Sequence, residues 1–458
     1  MARRLFGTDG VRGILNESID PIMAIKLSMS ICTVIGEGSD ILIGRDVRLG
    51  GEILELAVAA GLLNSGCKPY TAGLTPTPAL QLYVSRTGEF DAGIMITASH
   101  NPPEYNGIKL IMSDGIEAPR EVEEKVEKVF FEENYKKVSW NQASISTRSI
   151  SNVNEFYINE VASLVDIEKI RRRSLRVVID AANSVGSITL PEIVRRLGGK
   201  PIVINGNLDP FMSGREPEPT IDSLKEASSV VRSLGADVGI GVDGDADRAI
   251  IIDETGAIHW GDRTAAVVAP FLREKHPELP PRVFTGISSS SFIEPLLKKH
   301  GISVVWLKVG SPIIARALKN EGGLLGFEEN GGIMYPVHQP VRDSGAALAI
   351  MMELLASTNK KASELYSDYP QTFTIKTKIP RNNIDLEKLY IELEHKFDDG
   401  KLIRVDGLKI VTSDTWLLIR PSGTEPVIRI MVESLNREKA EEILKIVKNV
   451  IENIKSNK

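Results

Sequence analysis

Short apolar runs rich in β-branched residues alternate with segments of helical spacing through most of the chain. Ile41-Leu42-Ile43-Gly44, Ala92-Gly93-Ile94-Met95-Ile96-Thr97 and Ile108-Lys109-Leu110-Ile111 predict strands, and 52–64, between the first two, predicts a helix. The order begins again at Leu175-Arg176-Val177-Val178-Ile179-Asp180, continues through 201–204 and 236–240, and restarts at Val283-Phe284-Thr285 and Val304-Val305-Trp306. Three α/β units of similar size follow, a weak repeat without close sequence identity. The polar stretch 135–153, rich in Ser, Asn and Lys, marks one boundary, and the turn Asp253-Glu254-Thr255-Gly256 marks a second. The tail differs: 372–375 predicts a strand, 385–397 a helix, 408–432 two strands around a loop, and 438–454 an amphipathic closing helix. The expected division is 1–152, 153–254 and 255–365 as α/β domains and 366–458 as a smaller α+β domain.

Composition narrows this picture. At 458 residues, 42% hydrophobic and 25% charged, the chain is too long for one small module and apolar enough to give each domain a core. Fifty-five basic against 61 acidic residues leave a formal charge of −6 without long runs of one sign, so a general nucleic-acid or membrane surface is not implied. Only Cys32 and Cys67 occur, neither in a CxxC pair, which argues against a zinc or dithiol site and fits a reducing, intracellular setting. The apolar segment 22–35 carries Lys26 and falls short of the ~20 residues of a membrane span. The basic start runs into Gly7-Thr8-Asp9-Gly10 and does not read as a secretion signal. A soluble, cytoplasmic protein is expected.

Four loops carry candidate chemistry. Thr97-Ala98-Ser99-His100-Asn101-Pro102-Pro103 follows a strand, which makes Ser99 a candidate nucleophile; no GxSxG occurs, so a hydrolase elbow is not the reading, and a plain turn remains open. Asp243-Gly244-Asp245-Ala246-Asp247-Arg248 offers three carboxylates at spacing two, a set suited to Mg²⁺. The overlapping GxGxxG of 239–244 runs into a strand instead of a helix, and a calcium loop would need glycine where Arg248 stands. Gly326-Phe327-Glu328-Glu329-Asn330-Gly331-Gly332 places a carboxylate and an amide where they can bind vicinal hydroxyls, with a glycine-punctuated surface loop as the bland alternative. Arg420-Pro421-Ser422-Gly423-Thr424-Glu425-Pro426, with Arg429 beyond it, combines guanidinium, hydroxyls and glycine-opened amides as a phosphate cradle; a hairpin turn explains the glycine but not the two arginines.

Taken together, in this order, the loops describe phosphoryl transfer on a sugar phosphate. From Phe6-Gly7-Thr8-Asp9-Gly10-Val11-Arg12-Gly13 to Arg420-Pro421-Ser422-Gly423-Thr424-Glu425-Pro426, the chain resembles the α-D-phosphohexomutase family. The resemblance implies a heart-shaped molecule of four domains around a cleft, the first three with related mixed sheets. It implies that Ser99 is the phosphoserine and that Asp243, Asp245 and Asp247 hold Mg²⁺ together with an oxygen of that phosphoserine. It further implies that Arg12 and Arg248 stabilise the phosphoryl oxygens, that Lys109 serves as general acid or base, and that His100 helps to position the serine. On the same resemblance Glu328 and Asn330 would bind the sugar, while Arg420, Ser422, Gly423, Thr424 and Arg429 would hold its resting phosphate.

The implied reaction interconverts hexose 6-phosphate and hexose 1-phosphate through a bound hexose 1,6-bisphosphate, which also charges the serine. The amino-terminal motif looks most like phosphoglucosamine mutases, and Glu328-Glu329-Asn330-Gly331-Gly332 resembles archaeal members; many bacterial ones have serine for Asn330 and histidine for Gly332. Glucosamine phosphate is therefore the expected substrate, with broad glucose and mannose phosphate activity as the alternative. A Mg²⁺-dependent sugar phosphatase and a noncatalytic sensor are lesser ones. The expected partner is the small sugar phosphate, and a homodimer stays open.

Overall fold

The computed structural model describes residues 4–7, 9–142, 147–381, 384–422 and 426–456. Four sheets divide the chain. In the first, the strand order is Val11–Ile14, Tyr105–Met112, Ala92–Ile96, Asp40–Arg45, Lys68–Leu74 and Arg148–Ser149. Asp40–Arg45 lies parallel to both neighbours, and Tyr105–Met112 turns back antiparallel.

The second and third sheets repeat this plan. Arg176–Asp180 and Arg282–Gly286 open their sheets, each flanked by and parallel to the next two strands of its unit, after which the chain doubles back. In all three, the turn from the last parallel strand to the first antiparallel one lies at the carboxyl end of the parallel set. Those three turns hold Ser99, the 243–248 aspartates and Glu328. The weak repeat of the sequence is thus a repeat of topology that places each chemical loop at the same point, where open α/β sheets gather ligands.

The helices follow local chemistry. Pro21–Ile35 starts at Asp20, whose side chain accepts Met23 N–H, with proline at the first helical turn. Ser344–Thr358 has 12 of its 15 residues buried, which makes it a central helix and not a surface one. It packs within one apolar core that runs through the first three units, from Leu42 and Tyr83 to Val177, Ile251 and Phe327.

The fourth sheet is wholly antiparallel, in the order Phe373–Pro380, Val427–Ser434, Thr415–Pro421, Leu408–Val411 and Lys401–Ile403. It has its own core against Leu386–Lys396 and Arg437–Ser456, built around Leu389, Ile430 and Val447. A turn at Thr412–Asp414 makes three strands of 408–434, where two are expected, because Thr412 N–H closes onto Thr415 O. Cys32 and Cys67 are joined as a disulfide between the first helix and the strand beginning at Lys68, a pairing that the reading of a reducing setting does not anticipate. No helix among the described residues is long and apolar enough to cross a membrane.

Candidate active site

Ser99 is fully buried, and its backbone has a φ of 51°, in the left-handed region that a side chain rarely adopts. The loop is held there by Arg48. Its Nη2 donates to Ser99 O at 2.6 Å and Asn101 O at 2.7 Å, and its Nη1 donates to Pro102 O and Tyr105 O. Nε pairs with Asp46, which also accepts from Thr97 Oγ1, and Thr97 in turn accepts Ser99 N–H. All five guanidinium donors are used, so the loop is bound by a rigid fork.

The serine meets the aspartate loop of the second domain. Ser99 Oγ donates to Asp243 Oδ2 at 2.6 Å, and Asp243 Oδ1 accepts the amides of Asp247 and Arg248. Gly244 permits the approach, since a Cβ there would lie 2.6 Å from Ser99 O. Asp245 Oδ2 accepts from Thr77 Oγ1 and Lys109 Nζ, and Asp247 Oδ2 from Lys109 and Arg342. Oδ1 of Asp245 and Oδ1 of Asp247 are buried and accept nothing. Oxygens of the three carboxylates lie within 4.8 Å of one another. Two bare buried oxygens in a set of three carboxylates this close together suit a hard divalent cation, which such a set could hold.

The surrounding charges are balanced closely. Burial and the carboxylates of Asp247 and Asp245 push Asp243 well above the usual carboxylate range. For Asp245 burial acts upward, but Lys109 and the Thr77 hydroxyl outweigh it and hold the group low. Burial also acts to strip the Lys109 proton, yet Asp245, Asp9 and Asp247 raise its pKa and keep it an ammonium. Burial, with the Arg248 and Arg12 guanidiniums, pushes His100 far below its ordinary value. Its Nδ1 accepts from Arg248 Nη2 at 2.8 Å and lies 3.3 Å from Ser99 Oγ, so the neutral ring orients the arginine and the serine together. Arg12 donates to Ala98 O, Asn101 and Asp9 at the loop's other side.

Glu328 is buried and salt-bridged to Arg342 at 3.3 Å, while Asn330 Oδ1 accepts only a long bond from Gly332 N–H. The 328–332 loop rests on the second domain, Ala249 N–H donating to Gly331 O. From the fourth domain, Lys376 reaches Glu329 at 3.0 Å. Arg420 and Arg429 face each other across paired strands, an arrangement of like charges that favours an anion between them. Burial lowers Arg420 from its ordinary value, against the pull of Asp406 at 3.0 Å. Ser422 N–H closes onto Val427 O; Gly423 and Thr424 lie outside the described residues.

Ser99, His100, Lys109, Arg12, Arg248, the three aspartates and, through Arg342, Glu328 therefore form one connected cluster. Arg48, Asp46, Thr77, Asp9 and Arg342 belong to it as well and were not singled out from sequence. Their contacts join residues as far as 333 apart, and no local spacing announces them.

The chain matches the descriptions of phosphoglucomutase/phosphomannomutase alpha/beta/alpha domains I, II and III over residues 3–137, 155–256 and 260–373, and that of the C-terminal domain over 378–450. It is 45% identical to the phosphoglucosamine/phosphogalactosamine mutase of Sulfurisphaera tokodaii, over 98% of this chain and 99% of that one. The chain belongs to the phosphoglucomutase/phosphomannomutase family. As a phosphohexomutase it is an isomerase that moves a phosphoryl group between two positions of a hexose phosphate. A second relative, the phosphoglucomutase/phosphomannomutase of Thermococcus kodakarensis, is 41% identical over 97% of each chain. A crystal structure of a phosphoglucomutase/phosphomannomutase family protein from Burkholderia thailandensis shares the mutase fold, with a TM-score of 0.87 at 21% identity over 98% of this chain and 97% of that one.

Proposed function

We propose that this mutase interconverts glucosamine 6-phosphate and glucosamine 1-phosphate through a phosphorylated Ser99 and a hexose 1,6-bisphosphate. The observation that carries the proposal is the contact of Ser99 Oγ with Asp243, beside the two bare oxygens of Asp245 and Asp247. A nucleophile and a carboxylate cage from different domains are thereby brought to one point. Bound there, Mg²⁺ would supply charge withdrawal from the transferring phosphoryl group.

The chain's own residues do the rest. Arg48 and Thr97 fix the serine, and Arg248, oriented by neutral His100, and Arg12 face the phosphoryl oxygens. Lys109, held as an ammonium beside Asp245, serves as general acid or base for the proton exchanged between Ser99 and the sugar hydroxyl. Glu328 and Asn330 take the sugar hydroxyls. Arg420, Ser422, Gly423, Thr424 and Arg429 hold the phosphate that is not reacting. The phosphoryl group leaves Ser99 for the free hydroxyl, whose proton takes its place on the serine oxygen; the bisphosphate turns over in the cleft, and the other phosphate returns to Ser99 as the serine proton passes to the sugar oxygen it vacates. Divisions near residues 152, 254 and 365 would let each domain bring one loop.

The choice of amino sugar rests on the phosphoglucosamine/phosphogalactosamine mutase likeness, with a broad glucose and mannose phosphate mutase as the alternative. The test is labelling with ³²P-hexose 1,6-bisphosphate. One phosphoryl group per chain is expected on Ser99, and none in Ser99→Ala; label elsewhere, or turnover by Ser99→Ala, would overturn the mechanism.

A further inference from the structure

One guanidinium ties three loops of this site together. Arg342 ends the strand Gln339–Arg342 and is buried. Its Nη2 lies 2.6 Å from Asp247 Oδ2 and 3.1 Å from Asp9 Oδ2, and its Nη1 lies 3.3 Å from Glu328 Oε2. The residue that follows it, Asp343, is locked in place by Tyr157 Oη at 2.5 Å, Gln339 Nε2 at 2.7 Å and Ala346 N at 2.9 Å. The arginine stem therefore starts from a fixed base. It then passes across Gly332, where an added Cβ would stand 2.6 Å from Arg342 Cδ and 2.8 Å from Cγ. A long side chain could ordinarily swing away, but this one is pinned at its base and at both ends of its fork.

We infer that Arg342 is a positioning residue that sets the Glu328 loop against the 243–248 aspartates, and that Gly332 lacks a side chain to leave Arg342 its path. By occupying Oδ2 of Asp247, Arg342 leaves Oδ1 as the oxygen that is buried and bare. By pairing at the same time with Glu328, it fixes the hydroxyl-binding carboxylate relative to that cage. A planar fork holds two carboxylates at a fixed spacing; a lysine ammonium in the same place is a point charge that imposes no such spacing. The inference rests on the mutase reading for what the two loops hold, but its first readout does not need turnover.

The experiment uses the full chain as wild type, Arg342→Ala, Arg342→Lys, Gly332→Ala and the double variant Arg342→Ala/Gly332→Ala. Mn²⁺ is the probe, with its dissociation constant read by electron paramagnetic resonance. KM and kcat for hexose phosphate and the melting temperature are measured alongside. Arg342→Ala is expected to weaken Mn²⁺ by about tenfold or more, as loss of an orienting partner does, and to raise KM by about tenfold, as loss of a charged partner does. Gly332→Ala shifts both in the same direction, and the double variant is no worse than Arg342→Ala alone. Arg342→Lys recovers Mn²⁺ binding but not KM.

Wild-type Mn²⁺ affinity and KM in Arg342→Ala, with only the melting temperature lowered, would overturn the inference, as would losses that multiply in the double variant. Should Arg342→Ala fail to fold, unchanged Mn²⁺ affinity and KM in both Gly332→Ala and Arg342→Lys overturn it. A chain that binds Mn²⁺ in this Arg342-dependent way but turns over no hexose phosphate sinks the mutase reading and leaves this one standing.

Discussion

Ser99 carries its hydroxyl on a left-handed backbone, a conformation that costs on the order of 1–3 kcal/mol and persists only where neighbours impose it. Arg48 is the neighbour that does so. Replacing it with methionine leaves Asp46 as a buried carboxylate without its cation and four loop carbonyls without their donors. Arg48→Met is expected to lose about 3–5 kcal/mol in urea unfolding and about 100-fold in kcat, since a small displacement of a reacting group is enough for that. Wild-type kcat in this variant would mean that the loop holds itself. The sequence pointed to Ser99, the aspartates and Glu328, because each sits in a short polar motif after an apolar strand. Arg48 and Arg342 stand in no such motif, and only the fold reveals the carbonyls and carboxylates they join.

Two elements deserve separate tests. The disulfide ties the helix Pro21–Ile35 to the strand Lys68–Leu74 across a separation of 35 residues. A loop of that size restricts the unfolded chain by roughly 4 kcal/mol. Cys67→Ala should lower the stability of the first domain by up to about that amount while leaving kcat unchanged below the melting transition; unchanged unfolding would show that the bond contributes nothing. The second element is the strand Leu408–Val411, whose Lys409 is buried between Trp306 and Trp416 and donates to Ile287 O and Ser289 O of the third domain. Burial, opposed by Glu433, Asp262 and Glu329, lowers Lys409 from 10.5 to about 7. Between those values the unfolded chain holds a proton that the folded chain lacks, so this group favours folding more as pH rises. The melting temperature of wild type relative to Lys409→Met should increase from about pH 7 to about pH 10. A flat difference would refute the assignment. These features were beyond sequence reading for a physical reason: two cysteines 35 residues apart and a lone lysine give no periodicity, and the turn at 412–414 that adds a strand is only three residues long.

Across the whole molecule, three domains of one topology present three different loops at equivalent turns, and a fourth domain with its own core meets the third through Lys376, Asp406 and Lys409 and through a small apolar cluster of Ile287 and Phe292 with Trp416 and Met431. A core of its own, with only that small apolar contact to the third domain, suits a domain that closes over a substrate and reopens. Arg420→Ala should raise KM for sugar phosphate by roughly 10- to 100-fold with a smaller change in kcat, the loss of a charged pair to phosphate; an unaltered KM would move the cradle elsewhere. The alternation of strands and helices was enough to read three α/β units and a different tail, and the order of four loops was enough to read the family resemblance. Which sugar fills the cleft was not legible, because the discriminating contacts come from several domains at once.

The most direct measurement is the isomerisation rate of the purified chain with Mg²⁺ and a trace of hexose 1,6-bisphosphate, comparing glucosamine, glucose and mannose 6-phosphates side by side. The account expects the 1-phosphate isomers, formed fastest from glucosamine 6-phosphate and dependent on the bisphosphate. Equal or faster turnover of glucose or mannose phosphate would contradict the amino-sugar preference, and release of inorganic phosphate without isomer would contradict the phosphoserine relay itself.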